Sequence, residues 1–176
     1  AVEDCAGECD GSAVEDCTGE CGGNAESDEC GICGGDGSTC GMPDLFVYEQ
    51  STAGAYYYFF SVTLDGIPVD SDDWVGAFNG DICVGSRQWN TASCLNGVCD
   101  VPIMGDDNSA WTEGYMQTGD IPIFKVYDVS EDLYYDAFPS EDIPWANLYF
   151  PAIDNLNVYP DCHGILGGTA ELDECG

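Results

Sequence analysis

The first 43 residues contain seven cysteines and almost nothing from which a hydrophobic core is made. Their larger aliphatic side chains are Val2, Val14, Ile32 and Met42. A segment this poor in apolar surface holds a shape only through covalent or ionic staples. It also repeats itself. Residues 1–12 read AVEDCAGECDGS and residues 13–24 read AVEDCTGECGGN, identical at nine of twelve positions. A longer third copy, AESDECGICGGDGSTC, covers residues 25–40. The phrase returns at residues 161–176, where DCHGILGGTAELDECG matches residues 16–31 at eleven of sixteen positions. A chain that opens and closes on one repeat reads as a link in something longer.

Cysteine usage sets the compartment. Cys5, Cys9, Cys17, Cys21, Cys30, Cys33, Cys40, Cys83, Cys94, Cys99, Cys162 and Cys175 sit beside a single histidine, His163. The cysteines stand in Gly- and Asp-rich repeats, so disulfides in an oxidising compartment, and not zinc, are the expectation. Two pairings of the repeats are open. Cys162 and Cys175, the equivalents of Cys17 and Cys30, can pair with each other. Alternatively, neighbours pair along the repeats, 9 with 17, 21 with 30 and 33 with 40, which leaves Cys5 and Cys175 as free ends that could meet between chains. Cys94 and Cys99 bracket the loop LNGV and are expected to pair, which leaves Cys83 needing a distant partner. The lack of an initiator Met and of a signal peptide fits a mature, processed chain or a fragment of a larger one.

Residues 44–160 change character. Aromatic and β-branched runs alternate with turn residues: DLFVYEQ (44–50), AYYYFFSVTL (55–64), DWVGAFN (73–79), ICVGSRQW (82–89), VCDVPIM (98–104), IPIFKVYD (121–128) and LYYDAF (133–138). Each reads as a strand. Asn79-Gly80 predicts a type I′ hairpin and Asp65-Gly66 a second turn. No window shows a capped 3.6-residue apolar period. The expectation is all-β: an antiparallel β-sandwich of about seven strands (residues 44–160). It is flanked by a disulfide-held, coil-rich repeat segment (residues 1–43) and a short returning repeat (residues 161–176).

The phrase DECGICGGDGSTC resembles a cysteine motif of secreted metalloproteases that carry thrombospondin motifs. It is also similar to repeats of slime-mould matrix proteins and of large secreted, mainly bacterial surface proteins, in which DCxGxCGG units stand in tandem beside β-sandwich modules. The resemblance covers about 55 residues and implies a secreted, disulfide-linked connector. It implies no protease, because the sequence has no HExxH. The stretch DWVGAFNGDICVGSRQW with IPIFKVYD looks like the sandwich modules of such proteins.

Arg87 and Lys125 are the only cationic side chains against 34 acids, giving a formal charge of −32. Nucleic acid and anionic membrane surfaces are therefore poor partners and are not expected, since both need Lys or Arg against phosphate. No apolar run reaches the roughly 20 residues of a membrane helix, so membrane insertion is not expected. Self-repulsion of this size makes calcium the expected cofactor. The candidate ligands are Asp70, Asp72 and Asp73; Asp106, Asp107 and Asn108; and Asp154 with Asn155 and Asn157. All are read as turn residues with carbonyls to spare. Glu131, Asp132, Glu141, Asp142 and the repeat acids Asp4, Asp16 and Asp28 are secondary candidates. Cys30-x-x-Cys33 lacks a thioredoxin context. No GxSxG is present, and His163 has no evident nucleophile beside it, so no enzyme is expected. Lys125 is expected in a salt bridge.

Tyr56 to Phe60 are consecutive aromatics, so one face of their strand enters the core. The other must meet a second sheet, a sugar or a neighbouring subunit. The expected function is a structural subunit of an extracellular filament or surface assembly, a homo-polymer joined head to tail through its repeats. The alternative is an adhesion or carbohydrate-binding module that uses glycans as partners.

Overall fold

The computed structural model describes residues 4–5, 11, 13–26, 33, 41–161 and 164–166. The chain forms two compact units, Ala1–Met42 and Pro43–Gly176. The described residues of the returning repeat, 161 and 164–166, thus belong to the larger unit.

The larger unit is all-β. Its strands are β1 (Gly54–Leu64), β2 (Ile67–Pro68), β3 (Trp74–Asn79), β4 (Ile82–Gln88), β5 (Cys99–Met104), β6 (Ile123–Asp128), β7 (Leu133–Pro139) and β8 (Ala152–Val158). They follow one path, β2-β1-β8-β7-β6-β3-β4, with β5 also paired to β1. All ladders are antiparallel except β1 with β8, which run parallel from Tyr58↔Ala152 to Leu64↔Val158. The sequence led us to expect an antiparallel sandwich. The strands instead make a single mixed sheet that curls on itself. β4 comes back beside β5 so closely that a Cβ on Gly85 would lie 1.6 Å from the Pro102 carbonyl oxygen. Arg87 of β4 reaches the Asp100 carboxylate and carbonyl of β5 across the same line.

Alternation fills the interior. Ala55, Tyr57 and Phe59 of β1 are buried, with Phe124 of β6 packed edge-on to Phe59 at 5.2 Å between centroids. Val75, Val84, Val101, Ile103, Ile153 and Leu156 complete the apolar centre. Such edge-to-face aromatic pairs add about 0.5–1.5 kcal/mol to the burial itself. Trp145 is buried with its indole N–H donating to the Ile103 carbonyl at 3.0 Å.

Three local expectations change. Residues 44–50 form a 3-10 turn, Asp44–Phe46, and then unpaired chain. Phe46 is a core plug there, meeting Phe78 and Tyr134 at 5.8 and 5.5 Å, with Gly76 beneath its ring. The β3–β4 turn is centred on Gly80 and Asp81, and Gly80 alone takes positive φ (59°). The type I′ signature appears instead at Asp65-Gly66 (φ 48° and 77°) and at Asn96-Gly97 (54° and 78°). Finally, Asp154 and Asn155 lie within strand β8, not in a turn.

Candidate functional site

The repeat phrase builds a loop around one carboxylate. Asp16 Oδ1 accepts from the Thr18 N–H (2.9 Å), the Thr18 hydroxyl (2.6 Å) and the Glu20 N–H (3.0 Å). Its Oδ2 accepts from the Ala25 N–H at 3.1 Å. The backbone closes the same ring, Asp16 N–H to the Glu20 carbonyl and Gly19 N–H to the Asp16 carbonyl, both 2.9 Å, while Glu15 bridges Cys21. Gly19 takes φ 84°, where a side chain is strained. Gly23 is fixed differently: a Cβ there would sit 2.0 Å from Asp16 Oδ2. Asp16, Gly19, Gly23 and the Ala25 N–H of the phrase DCTGECGGNA thus each have a role. The donors hold the Asp16 carboxyl down at about 2, the Thr18 hydroxyl first and the Ala25 N–H next.

The returning copy makes the same loop. Asp161 N–H donates to the Ile165 carbonyl (2.8 Å), Gly164 N–H to the Asp161 carbonyl (2.9 Å) and Ile165 N–H to Asp161 Oδ1 (3.0 Å). Gly164 takes φ 78° and Pro160 bridges Leu166, as Glu15 bridges Cys21. Leu166 packs against the hydrophobic core. In the first copy, Asp4 Oδ2 accepts from the Ala13 N–H at 3.1 Å, the contact that Asp16 makes to Ala25 one unit later. Read from the sequence, Asp16 is one acid among 34. The signal that separates it is its fixed place before Cys-x-Gly.

The disulfides join Cys5 to Cys21 and Cys17 to Cys33, with Cα–Cα distances of 5.6 and 5.4 Å. This replaces the nearest-neighbour order. Each loop is already closed by its aspartate, so its cysteines reach to the adjacent units instead. Cys94 and Cys99 are joined across the Leu95↔Val98 bridge. Cys83 is a correction: it is a free thiol, buried in the larger unit, and burial pushes its pKa up to about 11. It packs there as a small hydrophobe. Cys9, Cys30, Cys40, Cys162 and Cys175 lie outside the described residues, as do His163 and Asp28.

The expected metal ligands do not gather. Among the described residues, no three His, Cys, Asp or Glu side chains form a group that could hold an ion. Asp70 and Asp72 are exposed, while Asp73 is buried and accepts from the Asp70 N–H (2.8 Å) and the Val129 N–H (3.0 Å). Burial raises its pKa against the pull of those donors. Asp107 is saturated by the Thr52 N–H and hydroxyl at 3.0 Å, the Ser109 N–H and the Thr112 hydroxyl. Its carboxyl is held far below the usual range, by the Thr52 N–H first. Asp106 accepts from the Asn108 N–H at 2.8 Å. Four hydrogens already point at the oxygens of Asp107, which uses up its lone pairs, while Asp73 accepts one on each oxygen. The exposed acids keep theirs. Glu131 and Asp132 accept from the Tyr135 and Tyr127 hydroxyls, both at 2.6 Å.

The outward residues of β1 remain uncovered. Tyr56 stacks flat on Phe150, 5.9 Å between centroids and 2° between planes, and both are exposed. Phe60 is 59% exposed, and Phe138 meets Tyr159 at 6.2 Å, also on the surface. Lys125 pairs with Asp136 across β6–β7, as expected, and Arg87 with Asp100. A cavity of about 360 Å³ is lined by Asp106, Asn108, Gln117, Thr118, Trp145 and Asn147 among others. No family model matches this chain, and neither a curated protein nor a solved structure matches it. Among the described residues no helix is long and apolar enough to cross a membrane, and the disulfides place the chain in an oxidising environment.

Proposed function

We propose that this chain is a structural subunit of an extracellular filament or surface layer, joined head to tail through its cysteine repeats. The supporting observation is that three hydrogen bonds and the bridge of the Asp16 loop in the core-poor N-terminal unit recur among Pro160, Asp161, Gly164, Ile165 and Leu166 of the β-unit. A connector element on two different surfaces of one chain gives a heterologous contact, which grows fibres instead of closing. The uncovered aromatics of β1 add apolar area for a neighbour, and exposed acids in a chain of charge −32 would bind calcium as a bridging counter-ion. Electron microscopy of the secreted protein, with calcium and without reductant, is expected to show fibres. Discrete monomers under every such condition refute the proposal.

A second reading, a carbohydrate-binding module, is favoured by the cavity in which Asp106, Asn108, Gln117 and Asn147 stand beside Trp145. Carboxylate and amide groups of this kind suit sugar hydroxyls. A glycan array gives a specific hit under this reading and none under the first.

A further inference from the structure

Of the ring contacts among the described residues, one joins two tyrosines. Tyr127 of β6 and Tyr134 of β7 are partners across the ladder, with 4.6 Å between ring centroids and 40° between planes. That is little more than the spacing of two rings joined directly by a carbon–carbon bond. Both are half-buried, so part of each is open to solvent. Phe46, itself fully buried, braces Tyr134 edge-on at 5.5 Å.

The Tyr127 phenol also has a base. Its hydroxyl donates to Asp132 Oδ1 at 2.6 Å. Asp132 stands in the β6–β7 turn at φ 57°, a left-handed backbone that aspartate adopts more readily than most residues. Its carboxylate holds the phenol's pKa up at about 12, so near neutral pH Tyr127 keeps its proton. A neutral phenol gives up an electron readily when its proton leaves at the same time, and Asp132 is in place to take it. No other described tyrosine combines these features. Tyr135 donates to Glu131 at 2.6 Å, but it is buried and its ring meets no other tyrosine. Tyr56 and Tyr159 are exposed, yet their ring partners are Phe150 and Phe138.

We propose that Tyr127 and Tyr134 are a modification site, at which hydrogen peroxide, acting through a haem peroxidase, joins their ortho carbons into a dityrosine that staples β6 to β7. Each phenol gives up one electron and its hydroxyl proton, that of Tyr127 passing to Asp132. The two phenoxyl radicals then form one bond between ortho carbons. Each of those carbons loses its hydrogen as a proton, and each oxygen regains one. The net loss is two electrons and two protons, which reduce one hydrogen peroxide to two waters. The inference stands apart from the head-to-tail reading, since it needs only the β6–β7 pair and the oxidant.

The test treats a dilute, equal mixture of ¹⁴N- and ¹⁵N-labelled full chain with hydrogen peroxide and a haem peroxidase. Dityrosine fluorescence gives the rate. Cleavage at Asp and Glu, which separates the two tyrosines, followed by tandem mass spectrometry gives the site. The expected product is a peptide pair joined from Tyr127 to Tyr134, lighter by two hydrogens and carrying a single label. Tyr127→Phe and Tyr134→Phe each abolish it, while circular dichroism shows the strands intact. Asp132→Asn is expected to slow its formation by about tenfold or more. Bonds spread over other tyrosines, a Tyr127–Tyr134 pair carrying both labels, or a chain that stays unlinked each overturn the inference. A rate unchanged in Asp132→Asn overturns the part given to its carboxylate.

Discussion

Removing one repeat disulfide is expected to melt the N-terminal unit and leave the β-unit untouched. The double substitution Cys17→Ser, Cys33→Ser opens a loop of sixteen residues. Chain entropy alone assigns such a cross-link about 3 kcal/mol. The Cys5–Cys21 loop is the same size, but it overlaps the other, so about 6 kcal/mol is an upper limit for both. No described residue of Ala1–Met42 is buried, so no apolar core compensates. A loss of about 3 kcal/mol raises the open fraction by about two orders of magnitude. Hydrogen exchange followed by NMR reads this directly at the amides that close the loop, those of Gly19, Glu20, Gly22, Gly23 and Ala25. Their protection should fall about a hundredfold, while amides of β1 and β6 keep their rates. Unchanged exchange at Glu20 and Ala25 would show that the aspartate loop stands without its disulfide. Equal loss in β1 would show that the two units do not fold separately. Either result refutes the reasoning.

Further outcomes follow from single side chains. Gly85→Ala sets a methyl against the Pro102 carbonyl, 1.6 Å away, and forces β4 from β5; urea unfolding should show a loss of about 3 kcal/mol or more. Asp73→Ala strands the buried N–H groups of Asp70 and Val129 and is expected to cost about 2–4 kcal/mol, with Asp73→Asn costing less, both read by thermal unfolding. Acid should act on the repeat loop in a defined window. Asp16 has its carboxyl lowered from 3.8 to about 2, so its contribution is complete above about pH 4 and disappears as pH falls through about 2. The Glu20 and Ala25 amide shifts should therefore titrate near pH 2, and a midpoint near 4 would contradict the hydrogen-bond assignment.

How much of this was legible in the sequence depends on what each residue type reveals. Strand β1 was visible because Ala55, Tyr57 and Phe59 alternate with residues facing out, and β-branched or aromatic side chains carry the strand signal. Strand β8 was not, because AIDNLNV sets Asp and Asn on a strand, where they are depleted, and invites a turn reading. What fixes β8 is tertiary: Ile153, Leu156 and Val158 are buried, and the strand runs parallel to β1, a pairing between distant segments that no local pattern announces. The acids show a related limit. Composition counts charges and is silent on donors. In the fold, Asp73, Asp107 and Asp16 accept from backbone N–H groups, a role in tying turns that their number alone does not announce. The repeat shows the reverse case. Its letters recur because each meets a geometric demand: the carboxylate that closes the loop, the glycine at φ 84° and the glycine beneath Asp16 Oδ2. None of those demands involves contact with the β-unit. Such a loop can therefore be copied along a chain, or set on the edge of another fold as at residues 160–166, without redesign of its surroundings. That independence supports the proposal that the repeat is a coupling.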